Sequence, residues 1–208
     1  MPTLTQPRLA SRSTPTTPTR QRLINAAKVR FYREGFRNVG IDAILDDVGI
    51  TKTAFYKHFE SKDDLMVAVL EDVDRFLQEK LSQLVREKGG PSPAGQLRAL
   101  VDVIGMIIAD KNWHGCIFVN AIMEFPLPHD PANQAATRHK RLFEDFIYEL
   151  AERARADDPK ALAQELSMLL EGAYITRTVT RDPASINIAR RIAERIIAHH
   201  LPALSART

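Results

Sequence analysis

Apolar residues recur along this chain at intervals of three and four, segment after segment. No stretch alternates apolar with polar residues long enough to make a strand, so the periodicity confines the fold to packed helices. Leu23, Ile24, Ala27 and Phe31 share one helical face. Thr17-Pro18 offers a hydroxyl cap and a proline at the first helical position, and Gly35 offers a stop. Ile41, Ile44, Leu45 and Val48 define a short helix broken by Gly49. Thr51 can cap the next helix, which carries Phe55, Tyr56 and Phe59. Ser61 to Asp64 reads as a capping-box-like start with Asp in place of Glu or Gln. It opens a long helix with Leu65, Val69, Val73, Phe76, Leu77, Leu81 and Leu84 on one side, ending at Gly89-Gly90-Pro91. Five more helices are expected near 92–110, 113–125, 130–156, 158–181 and 184–201, about nine in all.

The 208 residues suffice for one large domain or two small ones. Residues 1–17 are rich in Pro, Thr and Ser, contain no acid, and bury too little to offset ordering, so a flexible basic tail is expected there. Charge is lopsided. Residues 1–62 hold eleven Lys and Arg against five Asp and Glu, +6, whereas the remainder holds eighteen against twenty-one, −3. A basic N-terminal segment on a mildly acidic body suits a polyanionic partner. The single cysteine, Cys116, excludes an intrachain disulfide and suits a reducing cytoplasm. The apolar runs are too short to cross a bilayer, and no apolar segment follows the basic N-terminal residues as in a secretory signal.

Residues 41–59, IDAILDDVGITKTAFYKHF, have the organisation of a helix-turn-helix, two short helices joined by a tight Gly-containing turn. In such a unit the first helix braces the second against the major groove. Phe55 and Phe59 would anchor the buried side, leaving Lys52, Thr53, Tyr56, Lys57 and His58 exposed. Lysine and phenol groups suit phosphate oxygens, while Thr53 and the small Ala54 suit base edges and thymine methyls.

Residues 20–70 resemble the N-terminal domain of TetR-family regulators. The family pattern, along the lines of G-V-S-K-G-x-x-Y-x-x-F-x-S-K-x-x-L, is met at Gly49, Lys52, Tyr56, Phe59, Ser61, Lys62 and Leu65. Gly40 departs from it, standing where a capping Thr or Ser is usual, and so does Thr53, where Gly is common. The resemblance implies DNA contacts from Arg20, Gly40, Ile41, Thr51, Lys52, Thr53, Ala54, Tyr56, Lys57, His58 and Lys62. Arg8 and Arg12 would add sequence-independent attraction. It further implies an N-terminal three-helix DNA-binding domain at 18–64 and a helical ligand-binding and dimerisation domain at 65–208. The expected function is a repressor released from a palindromic operator in double-stranded DNA when a small, largely apolar effector binds.

The resemblance also implies a homodimer joined by the last two helices. Leu162, Leu166, Leu169, Leu170, Ala173 and Ile175, with Gly172, and then Ile188, Ile192, Ile196 and Ile197, supply apolar faces for it. Candidate effector contacts are Trp113, Cys116, Ile117, Asn120, Met123, Phe143, Phe146, Ile147 and Tyr174, an apolar patch with His114, Asn120 and Glu124 as polar groups. The same side chains also suit plain core. Cys116 reads as a buried structural cysteine, and His199-His200 as a solvated helix end. No nucleophile elbow, P-loop, dinucleotide fingerprint or zinc motif is present, so neither an enzyme nor a cofactor or metal is expected. A helical scaffold for protein partners is the other competing class, and the basic face at Lys52, Tyr56, Lys57 and Lys62 argues against it.

Overall fold

The structure, a computed structural model, describes residues 18–110 and 114–201. The expected tail with Arg8 and Arg12, together with Thr17 and Trp113, lies outside those residues. Among the described residues the chain is all-α: α1 (Thr19–Glu34), α2 (Ile41–Val48), α3 (Lys52–Phe55), α4 (Lys62–Gly89), α5 (Pro93–Ile108), α6 (Ile117–Glu124), α7 (Pro131–Arg153), α8 (Pro159–Thr180) and α9 (Ser185–His200).

Helix starts follow local chemistry. Thr51 Oγ1 accepts from the Ala54 N–H at 3.2 Å, Ser61 Oγ from Asp64 at 3.1 Å, Ser92 Oγ from Gly95 at 3.3 Å and Asp158 Oδ1 from Ala161 at 2.9 Å. Each satisfies one of the donors that a helix leaves unpaired at its start. The short Asp64 carboxylate reaches back to the Glu60 N–H at 3.1 Å, one residue before the cap. Two starts differ from expectation. Pro18 is the cap of α1 rather than its first residue, and its carbonyl accepts from Gln21 and Arg22. α6 begins only at Ile117, because Gly115 at φ 94° breaks the helical path.

The chain divides into two compact units. The first contains α1 to α3, the first part of α4, α6 and the first residues of α7, comprising 18–76 and 116–139. Its core holds Leu23, Ile24, Ala27 and Phe31 of α1, Ile44, Leu45 and Val48 of α2, Phe55, Phe59, and Leu65, Met66 and Val69 of α4. Phe118 of α6 stacks on the His139 ring at 3.6 Å, and His139 Nδ1 lies 2.6 Å from the Asp74 carboxylate.

The second unit contains the remainder of α4 and α7 with α5, α8 and α9. Leu97, Leu100, Val101 and Ile104 of α5, Leu162, Leu166 and Leu170 of α8, and Ile186, Ala189, Ala193 and Ile197 of α9 form one cluster with Ile147 and Leu150. Asp102–Arg190 at 2.7 Å and Arg98–Glu194 at 3.1 Å tie α5 to α9 across its rim. His200 is not solvated as expected. It is 6 % exposed, its ring faces Glu165, and its carbonyl accepts from the Asp157 N–H, so the end of α9 is packed down.

Candidate nucleic-acid interface

The turn between α2 and α3 is made by Gly49, at φ 71° and ψ 44°. This left-handed conformation costs a residue with a Cβ roughly 1–2 kcal/mol, and glycine adopts it freely. The Gly49 and Ile50 N–H groups both donate to Leu45 O, closing α2 before the chain turns. α3 itself spans four residues, but the His58 and Phe59 N–H groups donate to Phe55 O and carry the coil on to Phe59. Phe55 and Phe59 are buried with ring centroids 5.7 Å apart. With those two rings held inside, Lys52, Thr53, Lys57 and His58 face outward, and Tyr56 is 51 % exposed.

The helices around α3 are joined by polar ties as well as apolar ones. The Arg22 guanidinium donates to Val48 O at the C-terminal end of α2. Arg30 binds Asp47 with two hydrogen bonds, at 2.6 and 2.9 Å, joining α1 to α2. That pairing holds the Asp47 carboxyl below its ordinary range, against the opposing effect of burial. Lys28 pairs with Asp72 at 3.0 Å and Gln21 donates to the same carboxylate, joining α1 to α4.

Among the expected DNA contacts, Lys52, Thr53, Tyr56, Lys57 and His58 are all exposed along α3 and its continuation to Phe59. Thr51 is exposed as well, although its hydroxyl is engaged as the α3 cap. Ala54 and Ile41 are half-buried, and Gly40 is exposed at the start of α2. The Arg20 guanidinium lies over the Phe59 ring, 4.9 Å from its centroid. Lys62 is the first residue of α4, yet its Nζ turns to Arg37 O at 3.4 Å. Burial pushes its ammonium pKa down, with Asp63 and Glu124 opposing and Arg37 adding to the effect.

The expected effector contacts are distributed between the two units. Cys116, Ile117, Asn120 and Met123 belong to α6 and its cap. Cys116 is half-exposed rather than buried, Ile117 is buried, and Met123 is 76 % exposed. Ile147 is fully buried in the core cluster of the second unit, and Phe143, Phe146 and Tyr174 pack partly buried against it. Glu124, read from sequence as a polar group of a pocket, accepts instead from two backbone amides that follow α1, those of Phe36 and Arg37. Sequence reading missed that contact. No local pattern marks it, because its partners lie 87 and 88 residues away.

On α8, Met168, Gly172, Ile175 and Val179 recur at four, three and four residues, and all are exposed. Ile188 and Ile192 of α9 are exposed too. Leu162, Leu166, Leu170, Ala173 and Ile197, expected on an intermolecular face, are buried in their own core instead.

Comparison with known proteins agrees with this architecture. Residues 23–69 match the family model for bacterial regulatory proteins of the tetR family, and residues 93–193 match a tetracyclin repressor-like C-terminal domain. The TetR-family regulator SCO4454 from Streptomyces coelicolor superposes with a TM-score of 0.81 at 31% identity, covering 88% of this chain and 96% of that one. The transcriptional regulator YjdC of Escherichia coli K12 is 25% identical over 168 residues, 79% of this chain and 85% of YjdC. The transcriptional repressor DhaR of Mycobacterium sp. strain GP1 is 27% identical over 132 residues, 63% of each protein. No described helix is long and apolar enough to cross a membrane. With a helix-turn-helix of this geometry, and with both domains matched over most of its length, the chain belongs to the TetR family of DNA-binding transcriptional regulators, a non-enzymatic class.

Proposed function

We propose that this protein acts in the cytoplasm as a sequence-specific repressor, a homodimer that leaves a palindromic operator when a small, largely apolar effector binds its C-terminal domain. The observation that carries the DNA reading is the exposed side of α3 and its continuation, Lys52, Thr53, Tyr56, Lys57 and His58, backed by the buried pair Phe55 and Phe59. Phosphate contacts from Tyr56 and Lys57 fix the register, and Thr53 and Ala54 meet base edges. Arg20, Gly40, Ile41, Thr51, Lys52, His58 and Lys62 complete the proposed interface. Repression is supported by the relative named as a repressor.

Two reading units must meet successive major grooves about 34–36 Å apart, which calls for a dimer. The exposed seam Met168, Gly172, Ile175 and Val179, with Ile188 and Ile192, supports pairing through α8 and α9, since an apolar stripe of this kind is a liability on a monomer. The effector is assigned to the C-terminal domain. It releases DNA only by binding one arrangement of the reading units more tightly than the other.

Selection of the purified protein against random duplex DNA at physiological salt tests the reading. A palindromic or near-palindromic site is the expected outcome. Weak, salt-sensitive binding without sequence preference, persisting after the protein is unfolded and refolded free of small molecules, would refute specific reading.

A further inference from the structure

We infer that Glu124 is a positioning residue for DNA reading, whose carboxylate on α6 fixes the loop that delivers α2 to the helix-turn-helix. The Phe36 N–H donates to Glu124 Oε1 at 3.0 Å and the Arg37 N–H to Oε2 at 2.7 Å. These amides follow the end of α1 and so have no partner of their own in that helix. The Arg37 side chain returns to the same residue, its Nε donating to Glu124 O at 2.9 Å, while its guanidinium lies 4.8 Å from the Phe125 ring centroid. Phe36 meets Phe125 edge-on at 6.3 Å. Gly35, at φ 85°, suits the approach, because a Cβ there would crowd Glu124 Oε1 at 3.1 Å. On its other side the loop is held by Lys62, which donates to Arg37 O.

Three residues beyond Arg37 the chain enters α2 through Gly40, which has no side chain to cap the helix. The entry angle of α2 therefore depends on what holds residues 35–37. Two charge-assisted hydrogen bonds donated by backbone amides to one carboxylate tie that loop down. The inference rests on the DNA reading proposed above, and it makes α6 part of the frame that orients the reading turn.

Electrostatics alone predicts the opposite of positioning, so the two are separable. Removing a negative charge beside a basic domain tightens its attraction to DNA. Losing the clamp loosens the reading turn and weakens specific binding. The experiment compares wild type, Glu124→Ala and Glu124→Gln for affinity to the selected operator and to unrelated duplex, with amide hydrogen exchange over residues 35–41 in the free proteins. Far-UV circular dichroism confirms folding, and the near-isosteric glutamine covers the case in which the alanine variant does not fold. Glu124→Ala is expected to bind operator about tenfold more weakly, as loss of charge-assisted hydrogen bonds implies, without weaker binding to unrelated duplex. Glu124→Gln, retaining one acceptor oxygen, should fall between. Exchange at Phe36 and Arg37 should accelerate in the same order. Operator affinity equal to or tighter than wild type in a folded variant overturns the inference, and so does unchanged exchange. If wild type selects no DNA sequence, specific reading fails by itself, and exchange over residues 35–41 still decides the clamp.

Discussion

Replacing Gly40 with serine should stabilise the DNA-binding unit, whereas replacing Gly49 with alanine should destabilise it, although the two glycines flank the same eight-residue helix. Gly40 has φ −80° and ψ 156°, ordinary extended backbone, and a Cβ there would meet nothing within 4 Å. Among the described residues, four other helices receive a side-chain cap on the third amide of the helix, and α2 receives none. The introduced hydroxyl would accept from Ala43 in the same way. Serine exceeds glycine at this position by a few tenths of a kcal/mol, and removing glycine's freedom from the unfolded chain contributes about 0.4–1 more. The expected gain is about 0.5–1.5 kcal/mol. At Gly49 a Cβ also finds open space, but φ is 71°. The left-handed penalty of roughly 1–2 kcal/mol outweighs the unfolded-state gain, leaving a net loss of up to about 1.5 kcal/mol.

Urea unfolding at 25 °C, followed by far-UV circular dichroism, reads both. With slopes of about 1–3 kcal/mol/M, the midpoints should move apart by several tenths of a molar or more, at unchanged slope. A Gly40→Ser midpoint at or below wild type would refute the capping argument. A Gly49→Ala midpoint above wild type would refute the assignment of strain to the turn.

Four further outcomes are expected. Phe55→Ala, at a fully buried ring, should cost about 3–5 kcal/mol and abolish operator binding in a gel-shift titration before the rest of the chain melts. Lys57→Ala should weaken binding to all duplexes alike and lower the salt slope by about one, where loss of a phosphate contact is the cause. Burial alone would raise the Asp72 pKa, but Lys28, Gln21 and Arg75 outweigh it and hold it below the ordinary 3.8. A lowered folded pKa gives stability that is complete above that ordinary value and lost as pH falls through the folded one. Acid unfolding below about pH 4 should therefore be shallower in Asp72→Asn, which starts from a lower stability at neutral pH. Val179→Asp, at an exposed position on α8, should shift sedimentation equilibrium from dimer to monomer with little change in helix content.

Most of the helical frame was legible because its signals are local. Thr51 and Ser61 lie beside the amides they cap, and Gly49 sits in the turn it permits. Phe55 and Phe59, four apart, could face inward only if Lys52, Tyr56 and Lys57 faced out. What sequence periodicity cannot supply is a partner far along the chain. Glu124 stands among Ile117, Phe118, Val119 and Ile122, so its neighbours suggested a pocket, and only the fold brings it to Phe36 and Arg37. His200 beside His199 likewise looked solvated until the end of α9 was seen packed at Asp157.

α8 shows the same limit in another form. It carries two apolar stripes, and hydrophobicity does not say which one meets the core of its own chain. Leu162, Leu166, Leu170 and Ala173 are buried, while Met168, Ile175 and Val179 are exposed. Expectation placed members of both on one intermolecular face. The distinction has consequences, because an equal loss of apolar contact then acts on different equilibria. Leu166→Ala leaves a cavity and lowers the stability of the fold by about 2–5 kcal/mol, at any protein concentration. Val179→Ala removes no internal contact of comparable weight, so where α8 pairs in the proposed dimer its cost falls on subunit association and fades in the melts as the protein is diluted towards monomer. A concentration series of thermal melts separates the two, and a concentration-independent loss at Val179 would return that stripe to the protomer.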